Sequence, residues 1–152
     1  MKPEQRLANL GYELPAPPAP VASYVPWIRT GPLVVTAGQI PVRDGVLIAS
    51  GRAPDEVDPD VAKECAMWCA INGLAVVKAA VGELERVRRV VRLGVFVNSA
   101  PGFGDHPSIA NAASELMQAV FGDIGRHARS AVGCSSLPLN APVEIEFTFE
   151  VD

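Results

Sequence analysis

The apolar positions of this chain change period several times, and each change marks an element. Residues 1–11 have the pattern of a short helix or ordered arm. Residues 14–20 carry four prolines in seven positions, which imposes an extended lead-in close to polyproline II. Val21 to Arg29 and Leu33 to Gln39 read as strands split by the turn Thr30-Gly31-Pro32. Pro41 to Ile48, interrupted by Arg43-Asp44-Gly45, predicts a turn with a short strand, and 49–57 a polar loop. At Asp58-Pro59 the pattern becomes helical, with the acid at N-cap and proline at N1, and it runs to Val81 before Gly82. Between Val61 and Val81 only Lys63, Glu64 and Lys78 are charged. A surface helix carries a broad polar face, so this one is expected to be covered on more than one side, by heavy packing or subunit contact.

Val87 to Val97 returns to alternation. Val87, Val91, Leu93, Val95 and Val97 share one face with Arg89, and Arg88, Val90, Arg92, Gly94 and Phe96 the other. After a loop at 98–104, Asp105-His106-Pro107 opens a second helix with Ile109, Ala112, Ala113, Leu116, Val120 and Phe121 as its stripe; Gly122 ends it. The segment from Ala128 to Glu146 reads as two strands around a proline turn. In the last strand Val143, Ile145, Phe147, Phe149 and Val151 alternate with Glu144, Glu146, Thr148, Glu150 and Asp152. The order strands, helix, strand, helix, two strands predicts one α+β domain over 1–152, with 1–20 as an arm and both helices on one face of a mixed sheet.

Composition narrows the function. The chain has 152 residues, 49% of them hydrophobic, and a net charge of −4. An acidic chain argues against a nucleic-acid partner. Arg86, Arg88, Arg89 and Arg92 form one basic run, but alternation divides it between two faces. The polar start Met1-Lys2-Pro3-Glu4 has no apolar stretch behind it, and no run approaches 18 uncharged apolar residues. The expectation is a cytoplasmic protein with no membrane partner. Cys65, Cys69 and Cys134 are too few and too irregular for a disulfide framework and read as small buried hydrophobes. His106 reads as a helix cap. His127 reads as an exposed residue at a strand start or, being two residues from Arg129 and so on the same face, as a group that tunes a pocket there or shuttles a proton.

Within the small, apolar C-terminal segment stand Arg129 and Glu144. The pair suits a small carboxylate-bearing ligand, with a guanidinium fork to grip it and a carboxylate to handle water or a proton. On their own, Arg129 also reads as a strand arginine paired with a surface acid, and Glu144 as one acid of a solvated face.

Three segments in order resemble the Rid family, the reactive intermediate deaminases of the YjgF type, also known as endoribonuclease L-PSP. They are Val34-Val35-Thr36-Ala37-Gly38-Gln39-Ile40-Pro41; Val95-Phe96-Val97 with Asn111 on the following helix; and Ala128-Arg129-Ser130 with Leu137-Pro138 and Val143-Glu144-Ile145-Glu146. The resemblance implies a chorismate-mutase-like α+β fold and a homotrimer with a ligand site at each interface. It implies hydrolysis of enamines and imines such as 2-aminoacrylate to 2-keto acids and ammonia, with neither cofactor nor metal. Carried over, Arg129 holds the substrate carboxylate and Glu144 positions water, while Tyr24, Ala37, Gly38, Asn111 and Ala131 line the substrate site. Ala37 and Ala131 depart from the serine and cysteine usual there. These departures keep a non-catalytic binder of 2-keto acids as the alternative, ahead of a ribonuclease.

Overall fold

The computed structural model describes residues 1–17, 19 and 22–152. The polyproline reading of 14–20 and the start of a strand at Val21 fall partly outside these. The elements are α1 (Pro3–Asn9), β1 (Trp27–Thr30), β2 (Leu33–Thr36), β3 (Val42–Arg43), β4 (Val46–Leu47), α2 (Pro59–Val81), β5 (Val87–Asn98), α3 (His106–Phe121), β6 (Ala128–Cys134) and β7 (Val143–Val151). Five strands form a mixed sheet ordered β1-β2-β7-β5-β6, with β3 and β4 as a separate hairpin. Only β5 and β6 are parallel, and α3 is the crossover that parallel strands require. The architecture is the expected α+β one, with three helices.

The C-terminal segment departs from the expected pair of strands around a turn. β6 and β7 do not touch, because β5 lies between them. The twelve residues of β5 offer a full ladder on both edges, and the intervening chain crosses its end. Asn98, 1% exposed, holds that crossing through its Nδ2, which donates to Gly51 O (3.3 Å), Asn140 Oδ1 (3.1 Å) and Ala141 O (3.3 Å).

One face of the sheet lies under α2 and α3. Val143, Ile145, Phe147, Phe149 and Val151 are buried there, as the alternation predicts. On β5 strict alternation fails. Register shifts between Val87 and Arg89 and between Val90 and Arg92 slip the pattern, so Val90 is buried while Val91 is only half-buried. Gly73 lets the α2 backbone settle on the sheet; a Cβ there would lie 2.5 Å from the Phe147 ring.

The scarcity of charge on α2 is satisfied within one protomer. The sheet covers one side and α3 another. Trp68 packs edge-on against Tyr12 with the Arg43 guanidinium 4.9 Å above its ring. Although α2 has the length and mean hydropathy of a membrane-crossing helix, its apolar surface is covered by protein, and a subunit contact is not needed to explain it. Among the described residues no α-helix covers the opposite face of the sheet. Ile28, Val35, Phe96 and Val132 lie on it beside the acids of β7, and Ile28 is 57% exposed.

Candidate active site

The predicted site residues gather in two places. The first forms where β2 leaves β7. The step from Val35 to Gln39 is one residue longer than the facing step from Thr148 to Ile145. The surplus bulges outward as Ala37-Gly38, which is why β2 stops at Thr36 and not at Gln39. Thr36 Oγ1 accepts the Phe147 N–H (3.1 Å) that the bulge leaves unpaired, and Gln39 and Ile145 then exchange both backbone hydrogen bonds. Ala37 N–H donates to Pro26 O (2.9 Å) and draws in the chain that carries Tyr24. Pro26 lacks an N–H, so β1 begins only at Trp27.

This bulge faces Glu144. A Cβ on Gly38 would stand 2.5 Å from Glu144 Oε2 and 2.8 Å from its Cδ, so only glycine admits the carboxylate in this position. The neighbour that occupies the space of that missing Cβ is Glu144. Glu144 is half-buried and has no ion pair among the described residues, whereas Glu146 pairs with Arg92 at 3.4 Å. Burial first, and the charge of Glu146 second, push the Glu144 carboxyl above the usual range. Tyr24, Ala37, Gly38 and Glu144 line one concavity of about 700 Å³, walled by Trp27, Ile28 and Val35. The wall was not foreseen. Its signal was apolar residues side by side, Trp27-Ile28 and Val34-Val35, in strands that alternate elsewhere.

The second place is the edge strand β6. Arg129 stands in register with Leu93 and, beyond it, Phe147, so it lies on the helix-covered face. Its Nη1 donates to Asn111 Oδ1 (2.9 Å) and to Ser114 Oγ (3.1 Å). Asn111 and Ser114 are three apart on α3 and therefore share a face. With both Nη1 hydrogens used, the Nε–Nη2 edge remains a two-pronged donor with no partner among the described residues. No acid pairs with Arg129 there, contrary to the plain reading of a strand arginine. Ala131 follows on the same face, half-buried against the core.

Ser114 escaped sequence reasoning, which left it out of the buried stripe of α3; it is 7% exposed. His127 is not the exposed strand-start residue of the plainer reading; it stands on the Arg129 side, bonded to the serine that Arg129 also touches. It is half-buried, with Nδ1 2.7 Å from Gly125 O and Nε2 2.9 Å from Ser114 Oγ. Burial, with a smaller contribution from Arg129, holds its imidazole below the usual value. His106 does not cap α3. Asp105 occupies that position, and His106 Nε2 lies 3.1 Å from Ser99 Oγ.

Cys65 and Cys69 are buried as expected; burial pushes the Cys65 thiol up to about 12. Among the described residues no three His, Cys, Asp or Glu side chains converge as metal ligands.

Within one chain the two places cannot serve one small molecule. Glu144 stands in register with Phe96 and Val132, three residues along from the Arg129 row and on the opposite face. Two strand spacings and three residues amount to about 10 Å in each direction, before the thickness of the sheet.

Comparison with known proteins agrees with this architecture. Residues 4–150 match the family described as "YjgF/chorismate_mutase-like, putative endoribonuclease". Protein TCP17 of Trypanosoma cruzi is 40% identical over 147 residues, covering 96% of this chain and 92% of that protein. A protein of Dermatophagoides farinae named 2-iminobutanoate/2-iminopropanoate deaminase is 32% identical over 134 residues, 87% of this chain and 88% of its own. The crystal structure of an Agrobacterium tumefaciens protein of unknown function superposes with a TM-score of 0.94 at 44% identity, over 99% of this chain and 92% of that one. The fold, the ordered motifs and these matches agree: the chain belongs to the YjgF, or Rid, family.

Proposed function

We propose that this protein hydrolyses short 2-imino acids, and the enamines that tautomerise to them, to 2-keto acids and ammonia. The site forms where the arginine half of one copy meets the carboxylate half of another. The observation that carries this reading is the division just described: one chain holds a complete anion grip and a complete proton-handling carboxylate, too far apart to share a substrate. Unlike patches that pair head-to-tail close into a ring, and three copies would give three equivalent sites. The deaminase relative supports the same chemistry.

In this reaction the Nε–Nη2 edge of Arg129 takes the substrate carboxylate bidentately, leaving the imine carbon to face Glu144. Water adds to that carbon and its proton passes to Glu144. The raised affinity of Glu144 for a proton suits a group that must take one and return it near neutral pH. Glu144 returns that proton to nitrogen, which completes a carbinolamine; it then takes the hydroxyl proton and passes it to the amino nitrogen as the C–N bond breaks and the C=O bond forms, so that ammonia leaves with the keto acid behind it. Trp27, Ile28 and Val35 supply a dry wall that strengthens both charged contacts. An RNA substrate is disfavoured because Arg88 and Arg92 are tied to Asp152 and Glu146.

The test is complementation. Arg129→Ala and Glu144→Gln are each expected to be inactive when an amino-acid oxidase supplies the imine. Unfolded together and refolded, they should regain about a quarter of wild-type activity, the share of random interfaces that unite an intact arginine with an intact carboxylate. Binding of pyruvate by the wild type with no turnover would select the non-catalytic binder instead. Full activity in either single variant would end the proposal.

A further inference from the structure

Arg129 is held by a chain of hydrogen bonds that continues past the residues it touches. Gly125 O can only accept, so His127 Nδ1, 2.7 Å away, carries the hydrogen. In the neutral ring Nε2 is then a bare acceptor, and the only hydrogen that Ser114 Oγ, 2.9 Å away, can place between them is its own. With its hydroxyl turned to His127, Ser114 directs lone pairs toward Arg129 Nη1 at 3.1 Å. Asn111 Oδ1 takes the other Nη1 hydrogen at 2.9 Å. Ser114 is 7% exposed, so water does not readily replace either partner.

We propose that His127 and Ser114 are positioning residues for ligand binding: His127, as an acceptor at Nε2, sets the Ser114 hydroxyl so that Arg129 presents its Nε–Nη2 edge to a carboxylate. This rests on the reading of Arg129 as the carboxylate grip. Neither residue touches the ligand; both act through the guanidinium. Burial lowers the proton affinity of the His127 ring and so favours the acceptor that the Gly125 and Ser114 contacts define. Without it the Ser114 hydroxyl can turn its hydrogen toward Nη1, where it repels the N–H it should receive. Arg129 then keeps Asn111 alone and is free to swing about that single bond.

The experiment measures pyruvate binding by calorimetry on the assembled protein, with thermal melting as a check on folding. Ser114→Ala and His127→Leu are each expected to weaken pyruvate about tenfold, the scale of one hydrogen bond to a charged group. The double variant should be no weaker than either single one, because both break the same chain. His127→Gln, whose Oε1 can reach the place of Nε2, should restore near wild-type binding. His127→Leu binding like the wild type, losses that multiply in the double variant, or His127→Gln as weak as His127→Leu would each overturn the inference. Arg129→Ala separates the two levels. If it abolishes binding while His127→Leu binds like the wild type, only the positioning role fails; if Arg129→Ala itself binds normally, the reading of Arg129 fails and takes this one with it.

Discussion

On the helix-covered face Arg129 is held by hydrogen bonds; on the open face Glu144 is held by shape. The guanidinium has two neutral acceptors on α3, one of them secured from behind by His127. The carboxylate is placed by a missing Cβ at Gly38 and by partial burial, with no ion pair of its own among the described residues. The difference suits the roles proposed for the two groups. A binding group must keep one orientation and gains from directional bonds. A group that exchanges protons must stay unpaired and is better placed by packing, with its proton affinity raised by desolvation.

Each half is therefore expected to break in its own way. The largest effect falls on Arg129→Ala, which removes both prongs of the grip; keto-acid release with oxidase-supplied imine should fall about a hundredfold or more. Gly38→Ala should come next, with a drop of about tenfold, on the order of one general acid–base contribution partly lost. It leaves the arginine half intact, so steady-state kinetics should show the loss in kcat while pyruvate affinity is kept. A Gly38→Ala variant with weakened pyruvate binding and unchanged kcat would reverse the assignment of the halves.

Acidity gives a finer comparison. Glu144 must be ionised to take a proton from water, so activity should fall as pH drops through a carboxyl pKa above the usual glutamate range. Glu146→Gln removes the neighbouring like charge, and the acid limb of the rate profile should move to lower pH. The smallest effect belongs to the other half. His127 binds its proton less readily when folded than unfolded. Its contribution to stability is present above the ordinary histidine value and is lost as pH falls through the depressed one. Melting temperatures of His127→Gln should be flatter over that window than those of the wild type.

Legibility differed between the halves for related reasons. The limits of α2 were plain because Asp58-Pro59 and Gly82 are local signals that survive in any tertiary setting. The alternation of β7 was equally plain, since one face of that strand lies wholly in the core. β5 misled where its ladder slips, because a register shift is set by the partner strand and leaves no mark on periodicity. Ser114 was hidden by a similar limit. A serine beside an apolar stripe reads as surface until a guanidinium and an imidazole are seen on either side of it. Gly38 was singled out as a residue of the substrate site, and the structure sets Glu144 in the space its Cβ would fill. A missing Cβ signals close approach, but only the coordinates say what approaches.

Taken alone, the amino-acid order determined the two long helices, the alternation of β7, the α+β class and the family, and it singled out the two charged groups, because these depend on local periodicity, caps and short motifs. Tertiary structure decided that β5 separates β6 from β7, that Arg129 and Glu144 point from opposite faces, and that His127 stands behind the arginine. Strand order and facing arise from pairings between residues distant in the chain, and no local pattern records which strand will come between two others.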